Sequence, residues 1–461
     1  MVRKANVIHF VFEKIINDCE FYNFTTCPDS NPSSGHKRFK SSPLASTMIR
    51  FRGMASDEYR KFAKNISYSL DIPESGKYII PSAVAHSPIE WCGADNNSNG
   101  VSSAYSHRKN LFEYLKPEYY NDVIKGRAFV LLDQSHEGYQ PHWLWEWFHN
   151  SCDMYNIPPQ QIMYCTGNLD CVTQYDEWTT KKGITNKILV LPYPHFEMVI
   201  HDTSNNNPLW KPYKPPAPTF TQQVLFKQQE KNIKNIKLYN ALQKRPRAHR
   251  TWLFSELYKH NLLGDGINSM NHFEWMNTYY EGKTIAREDY NNILPLLPML
   301  PEENPETDQV ETKFADGDCG KYLTALNDRT MLSTWFSVIS EASYGDSEGQ
   351  CFISEKTFKA LICNHPFIIY GNRNSLAHLR SMGYRTFSPF IDETYDTLPT
   401  WERLDAIIKE IHRLKQMTTD EILNWYIGMK DILEHNAAVI KNNSSINIPP
   451  AIVKIKEYVD Q

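Results

Sequence analysis

The chain has 461 residues, enough for two or three domains, and its 41% hydrophobic and 22% charged content is ordinary for a globular protein. This composition excludes disordered, collagen-like and coiled-coil proteins. Basic and acidic side chains nearly balance at a net charge of -4, so no overall positive field attracts nucleic acid or an anionic membrane.

Cysteine usage and hydropathy favour a cytoplasmic protein, in the host cytoplasm if the protein is viral. The nine cysteines show no CxxC spacing, which indicates a reducing compartment and argues against a cysteine-bound metal. No run of about 18 apolar residues is present, and the start of the chain does not look like an export signal.

The first half of the chain contains a predicted parallel α/β layer. Short apolar runs at 127–133, 161–166 and 187–191 predict strands, and the spacing of apolar residues over 143–155 predicts a helix. The tryptophans on this helix are open to two interpretations, a sugar platform or core packing. Helical spacing puts Trp143 and Trp147 on one side of the helix, and Trp145 lies between them in the sequence. This arrangement favours core packing.

Two segments rich in proline break the pattern. Residues 202–221 contain clustered Asn and Pro and predict a domain junction. Residues 295–318 combine prolines with acidic residues and predict a loop within the second domain. The weak periodicity of residues 20–110 gives no prediction.

The second half predicts a β-α-β-α-β unit followed by helices. Gly383 suits the C′ position of a helix capped by Ser375, and Thr418 with Glu421 forms a capping box. The predicted strands are 333–340, 366–370 and the run beginning at 384–387, and the predicted closing helices are 401–415 and 418–435.

Two cationic helix starts fall in this second half. Ser354, Glu355 and Lys356 place a capping hydroxyl, an acid and a cation on a first turn, where free N–H groups favour a phosphate. The alternative is that Glu355 complements the helix dipole and Lys356 is solvated. The run 244–250 carries several arginines that could grip a diphosphate, or form only a solvated basic turn.

These motifs resemble the donor-binding part of fucosyltransferase-like GT-B glycosyltransferases. The shared pattern is a strand ending at Glu341, the Ser-Glu-Lys helix, and a Pro-hydrophobic-Gly strand at 366–371. The segments 383–387 and 392–396 are similar to phage and algal-virus glycosyltransferases. The resemblance covers about 155 residues from Leu238 to Asp396, and Ala342 stands where fucosyltransferases usually have Asn.

The resemblance implies the donor-site residues. Lys356 and an arginine would neutralise the leaving diphosphate, Glu355 would orient the ribose, and no cofactor or metal is expected. The arginine would be one of Arg245, Arg247 and Arg250. The other donor-site residues that the resemblance implies are Ser354, Glu341, Glu393 and Tyr395. A metal-dependent alternative would use the DxD match at Asp316 and Asp318.

A base for the acceptor hydroxyl is expected in the first half. The segment 133–139 follows a predicted strand at the edge where α/β sheets place ligands, and it offers His136 or Glu137. The alternative is a loop whose acids cap the next helix. His195 is a further polar group near a strand end.

The expected fold is α/β, with two Rossmann-like domains facing a cleft in the GT-B arrangement and a C-terminal helical tail. Residues 1–220 would bind the acceptor, 221–400 the nucleotide sugar, and 401–461 would close the fold. The expected function is transfer of a sugar from a nucleotide sugar to the hydroxyl of a glycan or another acceptor. The alternatives are a glycosyltransferase acting on modified bases of viral DNA and a non-catalytic carbohydrate-binding or virion-associated module. Nucleic acid is a possible partner that the composition does not indicate.

Overall fold

A computed structural model describes most of the chain. The described residues are 8–11, 66–69, 72–83, 112, 117–135, 138, 143–204, 217–230, 236–243, 246–299, 328–344, 350–446 and 450–461. Most of the predicted loop 295–318 and the candidates His136, Glu137 and Arg245 therefore lie outside the described residues.

The described chain alternates strands and helices. The strands are β1 (Ile8–Val11), β2 (Ile66–Ser69), β3 (Tyr78–Ala83), β4 (Ala128–Gln134), β5 (Ile162–Thr166), β6 (Leu189–Pro192), β7 (Lys237–Leu242), β8 (Gly266–Ser269), β9 (Tyr279–Tyr280), β10 (Lys283–Thr284), β11 (Thr334–Ser340) and β12 (Phe367–Tyr370). The helices are α1 (Pro117–Ile124), α2 (Leu144–Met154), α3 (Cys171–Lys182), α4 (His195–Ser204), α5 (Phe220–Glu230), α6 (Ala248–Lys259), α7 (Arg287–Ile293), α8 (Asp328–Leu332), α9 (Glu355–Ile362), α10 (Ser375–Ser381), α11 (Thr400–Lys415), α12 (Thr419–Gly428), α13 (Lys430–Ile446) and α14 (Pro450–Asp460). None of the helices in these ranges is both long and apolar enough to cross a bilayer.

The chain divides into two compact units. The first comprises Met1–His195, Glu348–Gln350 and Ser444–Gln461, and the second comprises Phe196–Ser347 and Cys351–Asn443. The chain thus passes from one unit to the other between His195 and Phe196, ahead of the Asn- and Pro-rich segment. The C-terminal helical segment is shared between the two units.

The first unit is built on a parallel sheet with the strand order β2-β1-β3-β4-β5-β6. The predicted alternation of strands and helix over 127–191 is confirmed by β4, α2, β5 and β6. All of β4 is buried, which explains the apolar run from Ala128 to Leu132. The three tryptophans of the predicted helix are buried in the core, and the rings of Trp143 and Trp147 meet edge to face at 6.1 Å, so the packing interpretation is confirmed.

The second unit has a four-stranded parallel sheet with the order β12-β11-β7-β8. Strand β11 is buried throughout and pairs with both β7 and β12. The predicted strands 333–340 and 366–370 are confirmed as β11 and β12. The helix between them, α9, carries the predicted apolar stripe, whose members Phe358, Leu361 and Ile362 are buried.

Three local predictions for this unit are wrong. Residues 384–387 form no strand, and side chains bond to their backbone groups instead: Asn436 pairs with both the N–H and the C=O of Arg385, and the Phe387 N–H donates to Glu393. Ser375 is the first residue of α10 and not its cap. The cap is supplied from a distance, since both carboxylate oxygens of Asp396 accept from the Leu376 N–H at 3.1 Å.

The third concerns the last predicted helix, 418–435. It is interrupted at Met429, which separates α12 from α13. Its predicted start is confirmed, because Thr418 and Glu421 form a reciprocal capping box. Gly383 follows α10 with φ +92, as its predicted C′ position requires.

Candidate functional site

The candidate site lies at one edge of the sheet in the second unit. Strands β7 and β11 are parallel neighbours, so their carboxyl ends lie at the same edge. Each is followed by a loop and a helix, α6 after β7 and α9 after β11. Ligands of open α/β sheets bind outside the carboxyl ends of the strands, where helix N-termini supply free N–H groups and partial positive charge.

Helix α9 begins at a buried cap. Ser354 has extended backbone angles, and its hydroxyl accepts from the Lys356 N–H at 3.4 Å, which confirms the predicted capping role. Ser354 is fully buried, and its hydroxyl also lies 3.4 Å from Lys356 Nζ. The cap therefore holds both the backbone and the side chain of Lys356 at the helix start.

Glu355 and Lys356 form an ion pair on this first turn. Lys356 Nζ lies 2.7 Å from Glu355 Oε1, and the two side chains are 27% and 17% exposed. Burial raises the pKa of Glu355, but the positive charges of Lys356 and Lys359 outweigh it and bring the pKa to about 2. Glu355 is consequently ionised at neutral pH.

Helix α6 begins with arginines that reach the loop after β11. The exposed Arg247 donates through its guanidinium to the carbonyl of Ala342. Arg250 is buried, and its Nη2 donates to the carbonyl of Glu341 at 3.1 Å. Arg247 and Arg250 of the predicted basic run are therefore bonded to the end of β11 and are not simply solvated.

His249, on the first turn of α6, is also bound to the end of β11. Its Nε2 is 3.0 Å from the Glu341 carbonyl, and its ring stacks on Tyr344 with centroids 5.1 Å apart and planes 9° apart. Burial lowers the pKa of His249 to about 3, and neighbouring positive charges act in the same direction. Those charges belong to Arg250, Arg247 and Lys356. Because a carbonyl oxygen can only accept, Nε2 carries the proton of this neutral ring and donates it to Glu341.

The other predicted donor-site residues have partners within the protein. Glu341 is fully buried, and its carboxylate accepts from the Ser354 N–H at 3.1 Å. Glu393 accepts from the N–H groups of Phe387 and Ser388, in a turn of the same unit. Tyr395 is buried, and its hydroxyl accepts from the Ile369 N–H at 3.1 Å.

The first unit has a polar strand end of its own. Gln134 ends β4 fully buried, and its Oε1 accepts from the Tyr164 hydroxyl at 2.6 Å. Asp133 Oδ1 accepts from the Ser135 N–H at 3.0 Å. The base candidates His136 and Glu137 follow directly in the chain, and the structure does not describe them.

No group of three or more His, Cys, Asp or Glu side chains suitable for a metal occurs among the described residues. Asp316 and Asp318 lie outside them, so the DxD alternative stays a prediction.

Sequence patterns missed three contributors to the site, His249, the Tyr344 ring on which it stacks, and Thr357. His249 lies within the predicted basic run, but nothing local shows that its ring meets Tyr344. Thr357 donates its hydroxyl to Glu341 Oε1 at 2.5 Å across 16 residues of chain. The only local signal for Thr357 is a hydroxyl on the first turn of an amphipathic helix.

Comparison with known proteins adds little to this geometry. No family model matches the chain, and no curated protein matches it. Among solved structures, the chain is similar to one titled "Crystal Structure of alpha1,3-Fucosyltransferase", with 9% identity and a TM-score of 0.33 over 100% of this chain and 92% of that one. Similarity at this level assigns neither the fold nor an activity.

Proposed function

We propose that the chain is a glycosyltransferase that moves a sugar from a nucleoside diphosphate donor to an acceptor hydroxyl. The observation that carries the proposal is that Arg247 and Arg250, at the start of α6, bond to the end of β11, while the Glu341 carboxylate at that strand end holds the start of α9, which carries Lys356. A diphosphate needs several positive groups in a fixed arrangement, and guanidinium groups bind it bidentately.

In the proposed reaction the acceptor oxygen bonds to the anomeric carbon while the bond from that carbon to the donor phosphate oxygen breaks. The electron pair of the broken bond leaves with the nucleoside diphosphate. Lys356, Arg247 and the first turn of α9 stabilise the negative charge that develops on it. Glu355 accepts from a ribose hydroxyl, and Glu137 or His136 takes the acceptor proton. These cationic groups take the place that a metal ion has in other transferases, so the proposed reaction needs none.

Thermal unfolding with a panel of nucleoside diphosphates and nucleotide sugars tests this function. A ligand at 100 times its dissociation constant adds about 2.7 kcal/mol of stability, which a melting curve detects. The second assay is release of nucleoside diphosphate from each stabilising nucleotide sugar. Binding without release, with or without added glycans, would favour a non-catalytic carbohydrate-binding module. No stabilisation by any nucleotide would contradict the proposal.

A further inference from the structure

Glu341 joins the two helix starts through its backbone. It follows β11 directly, and its N–H donates to the Tyr370 carbonyl at 3.0 Å, which extends the pairing of β11 with β12. Its carbonyl accepts two hydrogen bonds from the start of α6, one from His249 at 3.0 Å and one from Arg250 at 3.1 Å. The end of β11 is therefore bound to α6.

The carboxylate of Glu341 holds the start of α9. Oε2 accepts from the N–H groups of Ser354 and Ala342 at 3.1 and 3.2 Å. Oε1 accepts from the Thr357 hydroxyl at 2.5 Å. A Cβ at Gly371 would lie 3.1 Å from Glu341 Cγ, so a glycine directly after the neighbouring strand β12 leaves the room that the side chain needs.

Glu341 itself is not placed to touch a ligand. The residue is 0% exposed, and both carboxylate oxygens already accept hydrogen bonds from the protein. Glu341 bonds to two helix starts, and each carries candidate cations. Arg247 and Arg250 lie at the start of α6, and Lys356 lies at the start of α9. One buried residue thus fixes the positions of positive charges that come from two different helices.

We propose that Glu341 is a positioning residue that sets the spacing between the cations of α6 and those of α9, so that they act on one diphosphate. This rests on the proposed function, because it names what builds the phosphate site. A buried carboxylate beside cations would by its charge alone weaken anion binding. Its benefit to the site therefore comes from its hydrogen bonds, and an uncharged group of the same shape should replace it.

Glu341→Gln and Glu341→Ala separate these contributions. In Glu341→Gln the amide oxygen can accept from Ser354 and Ala342, while the amide nitrogen donates to the Thr357 hydroxyl. Glu341→Ala removes all three bonds. The matched control is Glu410→Ala, which removes another buried carboxylate of the same unit, one that accepts from Arg413 and from the Asp392 N–H.

Calorimetric titration with pyrophosphate, together with thermal unfolding, is the test. We expect Glu341→Ala to weaken pyrophosphate binding at least about 10-fold, Glu341→Gln to stay within about threefold of wild type, and Glu410→Ala to lower the melting temperature without changing affinity. If Glu341→Ala does not fold, Thr357→Val takes its place, because it removes only the hydrogen bond from Thr357 to the Glu341 carboxylate. We expect Thr357→Val to bind pyrophosphate about threefold or more weakly than wild type.

A double-mutant cycle distinguishes positioning from general destabilisation. If Glu341 acts by placing Lys356, then Glu341→Ala costs clearly less affinity in a Lys356→Ala background than in the wild type. Additive losses, or equal affinity losses in Glu341→Ala and Glu410→Ala, would overturn the positioning role while leaving the proposed function intact. If the wild-type protein binds neither pyrophosphate nor any nucleoside diphosphate, the proposed function fails and the positioning role fails with it.

Discussion

The Lys356 ammonium lies 2.7 Å from the Glu355 carboxylate on the first turn of α9. In this structure the cation proposed for the donor phosphate is therefore already paired with an acid. The pair keeps the lysine side chain folded over the helix start, where Ser354 also contacts it. A bound diphosphate would replace part of this attraction, and Glu355 would be left to interact with the ribose.

The first prediction is that Lys356→Ala loses most transfer activity and keeps its fold. The ammonium faces the proposed leaving group and not the core, so we expect turnover to fall roughly 10²- to 10³-fold, as for the loss of one preorganised electrostatic group. Turnover and far-ultraviolet circular dichroism are the measurements. Lys409→Ala removes an exposed lysine of the same unit and should behave as wild type. Normal turnover in the Lys356 variant would remove this lysine from the site.

The second prediction separates the two roles available to Glu355. In Glu355→Ala the negative charge beside Lys356 is gone, so pyrophosphate should bind several-fold more tightly. A nucleoside diphosphate should instead bind about 10-fold more weakly, because a charged hydrogen bond to its ribose is lost. Titration of both ligands on one preparation gives the comparison. Tighter binding of both would show that Glu355 only neutralises Lys356.

The third prediction concerns acid stability. The folded pKa of Glu355, about 2, lies below its usual value of 4.5, so folding favours the ionised form. The resulting stabilisation is fully present above pH 4.5 and is lost as the pH falls toward 2. Urea unfolding of wild type and Glu355→Gln should therefore show a difference in unfolding free energy that shrinks across this window. A difference that does not vary with pH would exclude a depressed pKa.

Predictions from sequence succeeded where the determining contacts are local. Strand β11 was predictable because a strand buried along its whole length leaves a short run rich in apolar residues in the sequence itself, even though its pairing partners are distant. The capping box of α12 was predictable because Thr418 and Glu421 are three residues apart. The strand predicted at 384–387 failed because the N–H and C=O of Arg385 bond to the side chain of Asn436, which is 51 residues away in the chain, and the Phe387 N–H donates to Glu393.

The same distinction applies to the site. Lys356 and Arg250 were identifiable as cations at helix starts, which is a local pattern. The place of Glu341 in the site was not predictable, because, apart from the adjacent Ala342, the partners of its carboxylate and carbonyl lie between 13 and 92 residues away and meet only in the folded sheet. A sequence pattern indicates a charge at a helix start, whereas the spacing between two helix starts depends on the tertiary structure.

The fourth prediction is that transfer survives EDTA. The proposed charge stabilisation comes from Lys356, Arg247 and the N-terminus of α9, so removing divalent ions should leave turnover essentially unchanged. The measurement is nucleotide release after dialysis against EDTA, with and without added manganese. Loss of turnover that manganese restores would favour the alternative site at Asp316 and Asp318, and the mechanism proposed above would be wrong.

The last prediction concerns the base that accepts the acceptor proton. Such a side chain is needed for transfer but does not touch the donor, so Glu137→Gln should bind nucleoside diphosphate normally and transfer poorly. The carboxamide keeps the size of the side chain and most of its hydrogen bonding, which isolates basicity from packing. His136→Asn tests the rival candidate, and Glu146→Gln, an exposed position on α2, is the control. Calorimetry measures nucleotide binding by each variant, and acceptor-dependent turnover measures transfer. Together they decide which side chain is the base. Weakened nucleotide binding in Glu137→Gln would make this residue part of the donor site or of the fold, and normal turnover in both variants would place the base on another side chain.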